Sequence, residues 1–161
     1  MKIIILYARR QTGVTALLYL VAKGYKVVVI SDDEYLLALA KDLGVERTVL
    51  EMIPWMKFDL FLCVHGNKIL PKELLIEGKF VNVHPCLFKY KGQNPIKRYI
   101  LGQDTGATVE SHYMVEKVDE GKVICEVGFT TPVCKTYAEF YNIAIGHYIL
   151  TIKKTLEILG V

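Results

Sequence analysis

The sequence contains no Cys-x-x-Cys pair, although it has four cysteines, Cys63, Cys86, Cys125 and Cys134. No secretory segment precedes Met1-Lys2-Ile3, so the thiols are read as reduced and the protein as cytoplasmic. Long apolar runs are missing too, and stretches such as 60–64 are far too short to span a membrane. Charge of one sign is scarce. The 20 basic and 17 acidic residues leave a net +3, too little to argue for a nucleic-acid partner. Repeats, low-complexity tracts and charge blocks are absent, so neither a linker nor a second domain is expected, and residues 1–161 read as one domain. What is present is ordinary for a globular chain: 52% hydrophobic and 23% charged residues. A chain of this length buries roughly 70% of its unfolded surface, enough for a core without staples.

Segments 2–8 (KIIILYA), 26–30 (KVVVI) and 58–64 (FDLFLCV) are continuous apolar runs, the pattern of strands buried on both faces. Between them, Thr12 is read as the cap of a helix over 13–23, ended by Gly24. Ser31 with Glu34 suggests a capping box for a helix over 32–43, closed by Gly44. A short strand over 47–51 and a short helix over 72–76 are expected, then a strand over 79–84. Strands alternating with helices predict a Rossmann-like, mostly parallel α/β sheet flanked by helices. After Gly106 the pattern changes. Thr108, Glu110 and His112 alternate with Val109, Ser111 and Tyr113, and 122–129 returns after the turn at 118–121, which predicts an antiparallel C-terminal hairpin. Thr136 and Glu139 form another capping box, opening a long final helix over 137–159. That helix carries Phe140, Ile143, His147 and Leu150 on one face and Tyr141, Ile145, Tyr148 and Ile152 on a second. A helix apolar on two sides is buried in the fold or at a subunit contact, and a homodimer is the expectation.

Chemistry concentrates in V81-N-V-H-P-C-L-F-K-Y-K-G92. Residues two apart on a strand share a face, so Asn82 and His84 project together. Pro85 holds His84 extended and fixes its aim. Ligands of parallel sheets sit beyond the carboxyl ends of the strands, where 8–13, 31–33, 65–70 and 82–92 converge. The 8–13 turn has a single glycine, which argues against a dinucleotide. Asp32 favours a helix N-terminus over a ribose. Cys63, His65, His84 and Cys86 could form a tetrahedral zinc site. The cysteines read better as small core hydrophobes, so no metal is expected. Lys89, Lys91, Lys97 and Arg98 cluster around Tyr90, as a guide for an anionic substrate or as a solvated loop.

N82-V-H-P-C-L-F-K-Y-K-G-Q-N-P-I96, with G102-Q-D-T-G-A-T108 and V118-D-E-G-K-V-I124, resembles the 10-formyltetrahydrofolate-dependent formyltransferases. The likeness is strongest over 58–129 and holds in order over the first 50 residues. It implies Asn82, His84 and Asp119 as the catalytic trio. It implies 10-formyltetrahydrofolate as co-substrate, its pterin against Asn67, Lys68, Ile69 and Leu70, with Val115, Glu116, Lys117 and Val118 closing the other side. The residue types suit the reaction. An amine attacks the formyl carbon, Asn82 and protonated His84 donate to the oxyanion, and Asp119 orients His84.

Departures narrow the acceptor. The loop from His84-Pro85 to Gly92 is a residue shorter than is common in the family. The turn Arg10-Gln11-Thr12-Gly13 does not match the phosphate-holding turn of glycinamide ribonucleotide enzymes, and Gly146 stands where those enzymes have an acid. Gln93-Asn94-Pro95-Ile96 is more similar to the methionyl-tRNA and amino-sugar branches. The tRNA enzymes carry a C-terminal domain, and no nucleic-acid partner is expected. A small-molecule amine, on a nucleotide-linked sugar, is therefore the expected acceptor. A formyltetrahydrofolate hydrolase and a non-catalytic folate-binding module are the alternatives.

Overall fold

The computed structural model describes residues 1–76 and 79–161. In chain order the elements are β1 (Ile3–Ala8), α1 (Arg10–Ala22), β2 (Lys26–Ile30), α2 (Glu34–Asp42), β3 (Glu46–Arg47), β4 (Leu60–Val64), β5 (Phe80–Pro85), α3 (Pro95–Leu101), β6 (Gly106–Tyr113), β7 (Val123–Thr130) and α4 (Tyr137–Leu159). Short 3-10 helices lie at Leu50–Trp55 and Lys72–Leu74. One seven-stranded sheet runs β3-β2-β1-β4-β5-β6-β7. It is parallel through β5 and antiparallel across β5-β6 and β6-β7. The order reverses at β1, leaving a crevice at the carboxyl ends of β1 and β4.

The two sheet faces are covered unequally. One packs Ile4, Leu6, Leu62, Val81, Val83 and Val109 against α1, α2 and α4, with Leu17, Leu36, Phe140, Tyr148 and Ile152 as inserts. The other packs Ile5, Tyr7, Phe61 and Phe80 against Ile53, Phe58 and Leu70, which come from a 3-10 helix and loops. Phe61 and Phe80 stack at 4.6 Å between ring centroids, a pairing that adds about 1 kcal/mol to plain burial. Asn82 pairs in register with Cys63, whose side chain lies on this thinner face. No α-helix of the described residues covers that face, so there is room for a cavity beside Asn82.

Several local expectations need correction. Neither Thr12 nor Ser31 caps a helix. Asp33 serves both, accepting from Arg10 N at 2.8 Å for α1 and from Leu36 N at 3.2 Å for α2. A carboxylate at two helix N-termini outcompetes two hydroxyls, because it gains from both dipoles. Ser31 instead bridges Ala8 O at 2.7 Å and Asp33 N at 3.0 Å. The strand expected over 47–51 shrinks to Glu46–Arg47, and the helix over 72–76 is a 3-10 turn. Helix α3 was not expected. Its signals were Pro95 at the first position and the buried spacing of Ile96 and Tyr99. The two proposed faces of α4 are not equivalent. Tyr141, Tyr148 and Ile152 are buried, whereas Leu150 is exposed and His147 lies against Phe129 at 4.2 Å. The second apolar side is thus spent inside the fold and gives no argument for a homodimer.

A methyl at Gly121 would sit 1.7 Å from Tyr113 O, inside the hairpin, while one at Gly146 of α4 would meet nothing within 4 Å. Gly121→Ala is expected to destabilise by about 1–3 kcal/mol, and Gly146→Ala to stabilise by about 1 kcal/mol. Urea unfolding followed by circular dichroism distinguishes them by opposite shifts in midpoint.

Candidate active site

β5 delivers Asn82 and His84 to the thinner sheet face, and β6 answers each across the ladder. Asn82 pairs with His112 and His84 with Glu110. Cross-strand partners share a face, so four polar side chains converge. Asp119 arrives from the β6-β7 connection, at φ +59. Its carboxylate is buried. His84 Nε2 lies 3.1 Å from Oδ2 and His112 Nε2 lies 3.4 Å from Oδ1. Asn82 Nδ2 faces Oδ1 at 3.4 Å. Gly92 N donates to Oδ2 at 2.7 Å, and Gly92 O stands 3.3 Å from His84 Nε2. Burial by itself would raise the Asp119 pKa. The bonds with His112 and His84, the His84 charge and the Gly92 amide outweigh it and hold the carboxyl well below its usual range. Asn82, His84 and Asp119 thus meet at one point.

His112 was not singled out in the sequence. Its Nδ1 faces Tyr113 O at 3.0 Å and therefore carries the proton. Nε2 lies 3.2 Å from Asn82 Nδ2 and 3.4 Å from Asp119 Oδ1, so it braces both members of the cluster. The signal available was the alternation that places His112 opposite the Asn82 strand. His84 Nδ1 is buried and has no hydrogen-bond partner among the described residues.

A cavity of about 370 Å³ opens beside this cluster. Asn67, Lys68, Ile69 and Leu70 form part of its wall, and Val115 and Val118 another part. Glu116 and Lys117 do not line it. Glu116 instead pairs with Lys72 at 3.5 Å. Ile69 is 75% exposed, Val118 50% and Val115 44%. Three exposed aliphatic side chains around one cavity suit a flat apolar ring. The amides of Asn67 and Lys68 are already engaged, each donating to Tyr7 Oη at 3.0 Å. The Asn67 side chain is used too, accepting from Tyr7 at 2.6 Å and donating to Asp32 at 2.7 Å. Asp32 also pairs with Arg9 at 2.5 Å, so its role is to brace this wall.

A second cavity of about 130 Å³ adjoins the first and shares His65, Gly66, Asn94 and Pro95 with it. Arg9, Arg10, Ile96, Tyr137 and Tyr141 complete it. His65 bonds Tyr148 Oη at 2.8 Å. Burial, then the charges of Arg10, His84 and Arg9, lower its pKa to about 3.

The zinc arrangement does not assemble. Cys63 lies on the thinner face and Cys86 in the helix-covered core. Burial pushes their thiols up to about 12 and about 11. Among the described residues no three His, Cys, Asp or Glu side chains are grouped to hold a metal ion. Three of the four members of the basic cluster are engaged locally. Lys89 pairs with Asp104 at 2.6 Å, Lys91 with Glu120 at 3.2 Å, and Arg98 lies over the Tyr90 ring at 5.4 Å.

A polar cluster beyond the carboxyl ends of a mostly parallel sheet, beside an open cavity, defines an α/β protein with an active-site-like centre. Residues 4–140 match the formyl transferase family model, and the chain belongs to that family. A methionyl-tRNA formyltransferase of Fusobacterium nucleatum is 34% identical over 84 residues, which are 50% of this chain and 27% of that protein. The alignments thus cover only a minor part of the curated relatives' length. A Helicobacter canadensis N-formyltransferase, solved with folinic acid and dTDP-3-aminofucose, superposes with TM-score 0.86 at 22% identity, over 99% of this chain and 64% of that one. Phosphoribosylglycinamide formyltransferase of Streptococcus pneumoniae gives TM-score 0.83 at 22% identity, over the full length of both chains. Those structures share the fold. No helix of the described residues is long and apolar enough to cross a membrane.

His65 stays neutral in the fold down to about 3, whereas an ordinary histidine takes up its proton near 6.5. Between those values the unfolded chain binds more protons, so stability falls as pH drops through the window. His65→Gln is expected to flatten this part of the slope in urea midpoints measured from pH 6.5 downward.

Proposed function

We propose that this chain moves a formyl group from 10-formyltetrahydrofolate to an amine, with Asn82, His84 and Asp119 around the reacting carbon. One observation carries the reading: His84 and Asp119 pair at 3.1 Å, with Asn82 Nδ2 on the same carboxylate, in the wall of an open cavity. The co-substrate supplies an activated formyl group on nitrogen. Ile69, Leu70, Val115 and Val118 would hold its ring by apolar contact, and the backbone groups of 67–70 not already bonded to Tyr7 would read its edge.

Asn82 Nδ2 lies 3.2 Å from His112 Nε2 and donates at 3.4 Å to Asp119. The longer contact is the weaker one, and its hydrogen is the one a developing oxyanion would take over. His84, in reach of Asp119 and with Nδ1 unmatched, is suited to accept a proton from the attacking amine and return it to the departing nitrogen.

The acceptor we favour is an amine on a nucleotide-linked sugar. The adjoining cavity supports this, because Arg10 offers a guanidinium group to an anionic portion while His65 and Asn94 adjoin the reacting centre. One of the two ligands in the Helicobacter canadensis structure, dTDP-3-aminofucose, is of this class.

Purified protein is to be incubated with 10-formyltetrahydrofolate and a panel of amines, and acceptor mass recorded. His84→Ala and Asp119→Ala are expected to abolish transfer with circular dichroism unchanged. Asn82→Ala is expected to lower it by roughly 100- to 1,000-fold. Full activity in either of the first two variants sinks the mechanism. Formate release that no amine accelerates points to hydrolysis instead.

A further inference from the structure

Glu110 is a second carboxylate beside the site, 1% exposed and directly across the ladder from His84. A charge so enclosed is tolerated only when its oxygens are matched by donors. The donors come from the turn that follows His84-Pro85. Leu87 N donates to Oε2 at 3.0 Å, Phe88 N donates to Oε1 at 3.1 Å, and the Thr108 hydroxyl adds a bond to Oε1 at 2.5 Å.

That turn has a demanding backbone. Cys86 stands at φ +54, a conformation unfavourable for a residue with a side chain. Lys89 N and Tyr90 N both close on Cys86 O, at 3.2 and 2.8 Å, while the two amides before them point outward at Glu110. Successive amides of this kind form an anion-binding concavity, and here the anion is a side chain of the same molecule. Downstream the chain is braced again. Tyr90 bonds Asp104, Arg98 Nη2 donates to Lys91 O at 2.5 Å, and the next residue is Gly92. Gly92 gives its amide to Asp119 and its carbonyl to His84 Nε2.

We propose that Glu110 is a positioning residue for formyl transfer: its carboxylate fixes the 86–90 turn and, through it, seats Gly92 between His84 and Asp119. The inference rests on the reading of His84 and Asp119 as the reacting pair. Glu110 does not line the cavity, and its bonds go to Leu87, Phe88 and Thr108 rather than to Asn82, His84 or Asp119. Neutralising it puts an amide NH₂ where a carboxylate oxygen accepted a backbone N–H, so the turn shifts and Gly92 moves with it. The walls at 67–70 and 115–118 are anchored elsewhere and stay in place.

Kinetics, folinic acid binding and imidazole NMR of E110Q test this on the full chain. Expected is a kcat at least about tenfold lower, since small misplacements of reacting groups are costly, with folinic acid affinity held within about threefold. The His84 ring signals should move and those of His147, stacked on Phe129 on the opposite face of the sheet, should not. A kcat within about twofold of the parent overturns the proposal. So does a loss matched by weaker folinic acid binding or by displaced His147 signals, which marks general loosening. Should E110Q fail to fold, E110D and T108V carry the test, since each removes part of the contact set and is expected to lower kcat with the same split; unchanged kcat in both overturns it. The two readings fail separately. Full activity in H84A sinks the catalytic reading, whereas an inactive H84A beside a fully active E110Q sinks only the role of Glu110.

Discussion

The buried carboxylate of Asp119 is the constraint around which the site is organised. An enclosed negative charge must be matched by donors, and Asp119 draws them from three separate segments. His84 and Asn82 come from the end of β5, His112 from β6, and the amide of Gly92 from the loop between them. Meeting these demands pulls a strand end, a hairpin connection and a loop onto one point. Asp119 and Cys86 both hold left-handed backbones, and the bonds they anchor offset that strain.

The change from parallel to antiparallel pairing at β5-β6 makes the arrangement reachable. A parallel neighbour would have needed a crossover helix over one face. The antiparallel return needs none, and it sets His112 beside Asn82 and Glu110 beside His84 on the face that, among the described residues, carries only 3-10 turns and loops. The cavity opens where that cover is missing, while α1, α2 and α4 supply the core on the opposite face.

The sheet was legible in the sequence because β1, β2 and β4 are continuous apolar runs, and burial on both faces leaves such runs no other use. The long final helix was legible from Thr136, whose hydroxyl accepts from Glu139 N at 3.2 Å. Helix α3 escaped because seven residues are too few for a period to declare itself. The two misplaced caps share a cause: Asp33 belongs to one helix in sequence and caps a second one in space. That Asn82, His84 and Asp119 meet in space was legible through a resemblance to a family. His112 and Glu110 gave only an alternation, since what matters about them is the strand they face, and register between distant segments is not written in either one. The engagement of Asn67 and Lys68 by Tyr7 was hidden for the same reason.

Trp55 is the chain's single tryptophan. It closes the Leu50–Trp55 3-10 helix, is 80% exposed and lines neither cavity. Intrinsic tryptophan emission is therefore nearly blind both to ligand entry and to loss of the core. The tyrosines tell a different story. Tyr7 and Tyr148 are buried in the two cores, and Tyr141 and Tyr148 lie within reach of His65 beside the cavities. Their ultraviolet absorbance, rather than the indole, is the chain's built-in optical probe of its working end.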